Sequence, residues 1–228
     1  MRFGIIDHND DTGRPHVQQI AERLELIEAY DRLGFYAYHL TEHHGTPLAV
    51  TPSPHLMLAA AAQRTSRLRL GTLITILSLY HPMRVIEEAV TLDQLSGGRL
   101  DLGVGRGVSP AELAFHGVSG EQEAQGRFDE AFAILRQGLT SDSVTFDGTY
   151  YKLADAPVVS RPVQRPHPPL WYGTRTLAKA QWCARLGMPM MALVPSRAVR
   201  ELTDAYKAEW AALGRFAGDL PPLGITRN

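Results

Sequence analysis

Gly105-Arg106-Gly107 sets one arginine between two glycines, just past a short apolar strand at 100–104. A guanidinium presents a planar fork that suits a phosphate, and flanking glycines let backbone come close to an anion. The competing reading is a surface turn with a solvated arginine. Thr41-Glu42-His43-His44 is the second reactive group. Imidazole titrates near neutral pH, so it can take or give a proton under working conditions. Successive residues of an extended segment point to opposite sides, so His43 and His44 are not expected to share one task. One of them is a candidate acid/base, while Glu42 and the other could instead bond neighbouring loops. Tyr80 and His81 follow the third strand and either line a substrate or pack ahead of Pro82. Thr176 opens a helix, where unpaired N–H groups and the dipole favour an anion; a plain N-cap fits the same residue. His39 with His43 and His44 raises a metal cluster. A histidine on a strand lacks helical i, i+4 geometry, and no His-x-His stands on strand one, so no metal is expected.

These residues need elements to hold them, and the chain alternates strand and helix almost throughout. Strands are expected at 2–6 (buried), 36–40, 68–76, 100–104, 170–173, 188–194 and from about 223. Helices are expected with Ile20, Leu24, Ile27, Tyr30 and Leu33 on one face, then at 54–64, 82–95, 123–139, 176–186 and 197–213. Gly34 ends the first helix, and Pro82 suits the first turn of the third. The stretch 140–169 breaks the alternation. It holds a hairpin signal around Asp147-Gly148, flanked by 144–146 and 149–151, and then five prolines from Pro157 to Pro169. Strand–helix alternation implies parallel pairing with right-handed crossovers. Seven such steps fit an α/β chain of the (β/α)8 TIM-type barrel class, with the eighth strand and its helices absent. In that class chemistry sits on loops after strand carboxyl ends, which is where the groups above fall. A doubly wound sheet competes, but no G-x-G-x-x-G follows strand one. No linker or change of composition divides the chain, so 1–228 is expected to be one domain with an insertion at about 140–169. An open barrel exposes unpaired strand edges. That leaves a fragment, a shortened family member, or a protomer whose partner covers the gap.

The 228 residues are 44% hydrophobic and 21% charged, with a formal net charge of -1. That balance gives no reason to expect nucleic acid or an anionic membrane as a partner. Cys183 is the single cysteine, so no intrachain disulfide forms, which fits a reducing cytoplasm. It sits in a helical pattern and is expected to be a packed thiol. No apolar run approaches the roughly 20 residues of a membrane span. The first strand begins at once, with no signal peptide. The expected setting is cytoplasmic.

Taken in order, Thr41-Glu42-His43-His44, Gly71-Thr72, Tyr80-His81-Pro82, the stretches 92–101 and 103–107, 146–151 and 162–171 resemble the bacterial luciferase-like flavin monooxygenases. The resemblance runs over essentially the whole chain and lacks the C-terminal third or so of a usual member. It implies a (β/α)8 barrel that binds reduced FMN supplied by a separate reductase. Oxygen then adds at the flavin C4a position, and the hydroperoxide attacks an aldehyde or other small substrate. A sister branch uses the deazaflavin F420 for hydride transfer, and a non-catalytic flavin-binding short form is the remaining alternative. By resemblance Arg106, beside Gly105, holds the FMN phosphate, with Thr176 at the helix start and the added charge of Arg175 as further candidates. Arg175 and Lys179 stand where the luciferase subunit has an acidic residue and a second hydroxyl. By resemblance too, His43 is the acid/base, Leu73 and Ile74 form a non-proline cis peptide beneath the ring, and Tyr80 and His81 face the substrate. Members of the family pair through helices two and three, so a homodimer is expected, with the alanine-rich run 59–62 allowing close approach.

Overall fold

The computed structural model describes residues 1–226. They form two compact units, Met1–Pro168 and Pro169–Asn228. The boundary falls at the end of the proline-rich stretch.

The first unit opens with β1 (Gly4–Asp7), α1 (His16–Leu33), β2 (Ala37–Leu40), α2 (Pro54–Ala62), β3 (Arg69–Ile76), α3 (Pro82–Leu95) and β4 (Leu100–Gly105). The strands pair in parallel in that order, β1 on β2, β2 on β3 and β3 on β4. It continues with the six-residue α4 (Pro110–Phe115) and α5 (Glu121–Gly138), then β5 (Ser143–Asp147) and β6 (Lys152–Pro157), an antiparallel hairpin. The second unit holds β7 (Leu170–Thr174), α6 (Leu177–Leu186), β8 (Met190–Ala192), α7 (Ser196–Ala212) and β9 (Leu223–Ile225). Its three strands are again parallel. Four parallel strands in the first unit and three in the second, separated by helices, follow the element order of the expected (β/α)8 class.

Local chemistry explains the boundaries. Gly34 ends α1 in the left-handed conformation at φ 80°, which glycine adopts without a Cβ penalty. Prolines stand in the first turns of α2 and α3, where their missing N–H costs nothing. Arg99 ties the last turn of α2 and the segment after it to the end of α3. Its guanidinium donates to the oxygens of Ala62, Thr65 and Leu68 at 2.8–3.0 Å, and to Ser96 O at 2.6 Å. Without such donors, buried helix-end carbonyls would lose about 1–3 kcal/mol each.

The core of the first unit lies between sheet and helices. Tyr38, Leu40, Leu70, Leu100, Leu102 and Val104 are fully buried, as are Ile27, Leu58 and Ile86 on the helices. Two expectations change. The first strand begins at Gly4, not at residue 2, and is only partly buried, with Phe3 67% exposed. Its one partner strand among the described residues is β2. The hairpin is also displaced: residues 148–151 form its turn. The Glu130 carboxylate accepts three successive N–H groups there, from Thr149, Tyr150 and Tyr151, at 2.7–3.0 Å, so the return strand starts at Lys152.

β3 is buried along nearly its whole length, as its composition implies, and its pairing with β4 is irregular. Thr72 faces Leu102 and Thr75 faces Val104. Leu73 and Ile74 therefore stand opposite the single residue Gly103, an extra residue on β3. A Cβ at Gly103 would lie 2.1 Å from Thr72 O, so only glycine fits there.

Candidate functional site

The carboxyl ends of β1 to β4 bring the sequence candidates of the first unit onto neighbouring loops. His43 leaves the end of β2 with its side chain 27% exposed, and its Nδ1 lies 3.0 Å from Glu112 Oε1. Its ring stacks on His8, from the end of β1, at 5.7 Å between centroids. Among the described residues its Nε2 has no hydrogen-bond partner. An imidazole oriented by a carboxylate at one nitrogen and open at the other can exchange a proton with a bound molecule. Glu112 was not among the sequence candidates, because α4 is too short to show a periodicity. Ser109-Pro110-Ala111-Glu112 nevertheless carries a helix-start signature, a hydroxyl followed three residues later by a glutamate. The Ser109 hydroxyl does accept from Glu112 N, at 3.4 Å.

His44 turns the other way, as alternation requires. Its Nε2 is 2.7 Å from Oε1 of Glu42, whose side chain is wholly buried. Glu42 also accepts from Tyr80 OH at 2.8 Å and from Ile76 N at 3.0 Å. The hydrogen bond to Glu42 holds the His44 imidazole above its ordinary pKa against the opposing pull of burial. Burial, and then the negative Glu42, push the Tyr80 phenol up. The Tyr80 hydroxyl is thus spent on Glu42, while the exposed His81 meets Tyr151 edge to face at 5.7 Å. Glu42 and His44 anchor the loops. His39 does not join them: it is buried on β2 with Asp101, Nε2 to Oδ2 3.7 Å. Among the described residues no group of three His, Cys, Asp or Glu side chains is placed to hold a metal.

Arg106 follows β4 with its side chain 23% exposed. Its ion-pair partner is Glu121, at 3.7 Å and itself 77% exposed. So loose a surface contact is worth about 0–1 kcal/mol, which leaves the guanidinium available to a stronger anion. Ser78 Oγ donates to Arg106 O at 2.5 Å and fixes the backbone beneath it. The two glycines have separate reasons. Gly107 sits at φ +81°, whereas a Cβ at Gly105 would strike Ile74 Cδ1 at 2.1 Å. The Leu73–Ile74 peptide is cis.

In the second unit Thr176 is the N-cap of α6, accepting from Lys179 N at 3.4 Å, and Arg175 is exposed. The Lys179 ammonium lies over the Trp182 ring at 4.8 Å. Cys183 is buried, with its thiol pushed up to about 12 by burial, a packed thiol as expected. Trp171 is buried in the core.

Residues 1–224 match the family described as luciferase-like monooxygenase. The chain belongs to that family. Among luciferase-like relatives, the uncharacterized protein y4wF of Sinorhizobium fredii is 46% identical over 209 residues, 92% of this chain and 61% of that protein. The crystal structure of the monooxygenase RslO1 from Streptomyces bottropensis superposes with a TM-score of 0.88 at 31% identity, over 95% of this chain and 68% of that one. The oxygenating constituent of 3,6-diketocamphane monooxygenase from Pseudomonas putida, a complex with FMN, shares the fold at TM-score 0.81 and 20% identity, over 94% and 63% of the two chains. The chain spans between 38% and 61% of the length of the first three curated relatives it matches. No helix among the described residues is long and apolar enough to cross a membrane.

Proposed function

We propose that the chain is the oxygenating component of a two-component flavin monooxygenase, using reduced FMN and O2 on a small, aldehyde-like organic substrate. The observation that carries this reading is Arg106: a partly exposed guanidinium with one loose carboxylate contact, on a loop fixed by Ser78 and Gly107. That donor set fits a phosphate dianion. Arg106 would hold the phosphate, and the end of β3 at Leu73 and Ile74, with Gly105 across from it, would carry the ring. Bound there, reduced FMN would supply the electrons that activate oxygen for transfer. His43, oriented by Glu112, moves a proton at its open Nε2. Tyr80 and His81 border the substrate side, Tyr80 through its ring since its hydroxyl bonds Glu42. Arg175 and Thr176, within the second unit, are proposed as an anion-binding pair in their own right, because the start of α6 offers N–H groups suited to an anion.

A separate reductase supplies the reduced flavin, and the setting is cytoplasmic. The chain acts as one domain and pairs with a second copy through α2 and α3. The exposed Leu56 and Leu95 on those helices, 74% and 46% accessible, support that face.

The test is titration of the purified chain with FMN and with F420, followed by oxygen uptake on adding reduced FMN. FMN binding with oxygen consumption is expected. Tight F420 binding with no affinity for FMN would replace the monooxygenase by a hydride-transfer enzyme. Bound flavin without oxygen uptake would leave a flavin-binding protein. Sedimentation at micromolar concentration is expected to give the mass of a dimer.

A further inference from the structure

A hydrogen-bond chain runs from the start of α2 into the sheet, and its protons can be assigned one by one. Gly103 O can only accept, so the Thr72 hydroxyl donates to it, at 2.8 Å. A hydroxyl has one proton, so the 3.0 Å contact between Thr75 Oγ1 and Thr72 Oγ1 uses the proton of Thr75. Thr75 therefore accepts from His55, whose Nε2 lies 3.1 Å away. The other ring nitrogen, Nδ1, is 2.7 Å from Glu88 Oε2 and needs a proton in that contact as well. Arg84 Nε donates to the remaining Glu88 oxygen at 2.7 Å. The His55 contact first, and Arg84 with it, hold Glu88 below the usual carboxylate range, so the shared proton belongs to the ring.

We infer that His55 is a fixed imidazolium and the positioning residue for the end of β3. It drives the Thr75 hydroxyl toward Thr72, and Thr72 toward Gly103 O, across the irregular segment that holds Leu73 and Ile74. From the other side Glu42 takes the Ile76 N–H. The segment is thus clamped between a cationic histidine and a buried carboxylate. Around His55, α3 presents Glu88, Glu87 and Arg84 along one groove, and α2 adds the positive end of its own dipole. On α1, Glu28 pairs with Arg64, beyond the far end of α2. Arg84 and the dipole oppose the charge, and Glu88, in direct contact, favours it. Only the link from β3 to a flavin rests on the function proposed above. The charge and the clamp do not.

The experiment uses the 15N-labelled, flavin-free chain. Long-range imidazole spectra at pH 7.5 are expected to show both His55 nitrogens protonated. An ordinary imidazole is about tenfold neutral there. In Glu88→Gln, His55 is expected to become the neutral Nε2–H form at pH 7.5. Because that form still donates to Thr75, amide protection at 73–76 is expected to stay near wild type in Glu88→Gln and to fall at least tenfold in His55→Phe, which removes the donor. A neutral His55 in the wild-type spectrum overturns the inference and needs no variant. So does wild-type amide protection at 73–76 in a folded His55→Phe. A separate FMN titration of wild type and His55→Phe tests the flavin link: absent binding to wild type sinks the flavin reading and leaves the His55 result standing.

Discussion

Two imidazoles in the first unit reach a glutamate through Nδ1, His43 to Glu112 at 3.0 Å and His55 to Glu88 at 2.7 Å. The second nitrogen separates them. In His55 it is bonded to Thr75 inside the protein, so the ring transmits position and has nothing to offer a ligand. In His43 it is open, on a side chain 27% exposed. The same dyad is a strut in one place and a candidate acid/base in the other. A carboxylate beside a histidine is therefore not by itself a catalytic signal; the occupancy of the far nitrogen decides.

The largest effect that would sharpen this contrast comes from His43→Ala. Turnover with reduced FMN is expected to fall by roughly a hundredfold or more, with flavin affinity nearly unchanged. Equal turnover would move the proton transfer elsewhere. Arg106→Ala should weaken FMN binding by about 1.5–3 kcal/mol, the worth of a charge-assisted contact, read by fluorescence titration; wild-type affinity would refute the phosphate assignment. Glu112→Gln keeps the shape and removes the charge that orients His43. A turnover loss of about tenfold with a displaced acid limb in the pH–rate profile is expected. An unmoved profile would make Glu112 a mere loop anchor.

The smallest effect is on stability. His44 has a raised pKa in the fold, so its contribution is full below about pH 6.5 and is lost as pH rises through the folded value. Glu88 is lowered, so its contribution is full above its ordinary value of 4.5 and is lost as pH falls through the folded value. The thermal midpoint is therefore expected to decline on both sides of a mildly acidic optimum. His44→Gln should reduce the alkaline decline and leave the acid one; an alkaline decline as steep as wild type in that variant would contradict the assignment.

Much of this was legible in the residues. α3 begins and ends where Pro82 and the apolar period put it, since proline at the first turn and a buried stripe act locally. The positions of His43 and Arg106 after strands two and four follow from the same alternation. What did not show were contacts made across space by residues distant in the chain. Glu112 reaches His43 from another loop, Glu130 recruits residues 149–151 into a turn, and His55 finds Thr75 through the sheet. Each is one side chain meeting one partner, and a single side chain leaves no periodicity to read. β1 reads as buried from composition, because Phe3, Ile5 and Ile6 are apolar whether or not anything covers them.

Gly105 has a consequence that extends to other sequences. Its missing side chain is filled by the tip of Ile74, so the two positions share one volume. Gly103, by contrast, faces backbone that cannot yield. Position 105 is then free to vary only in step with position 74: luciferase-like chains carrying alanine at the first should carry a smaller residue than isoleucine at the second. Gly105→Ala is accordingly expected to lose about 1–3 kcal/mol by overpacking, and Ile74→Val in the same chain to recover part of it. The two positions are expected to change together.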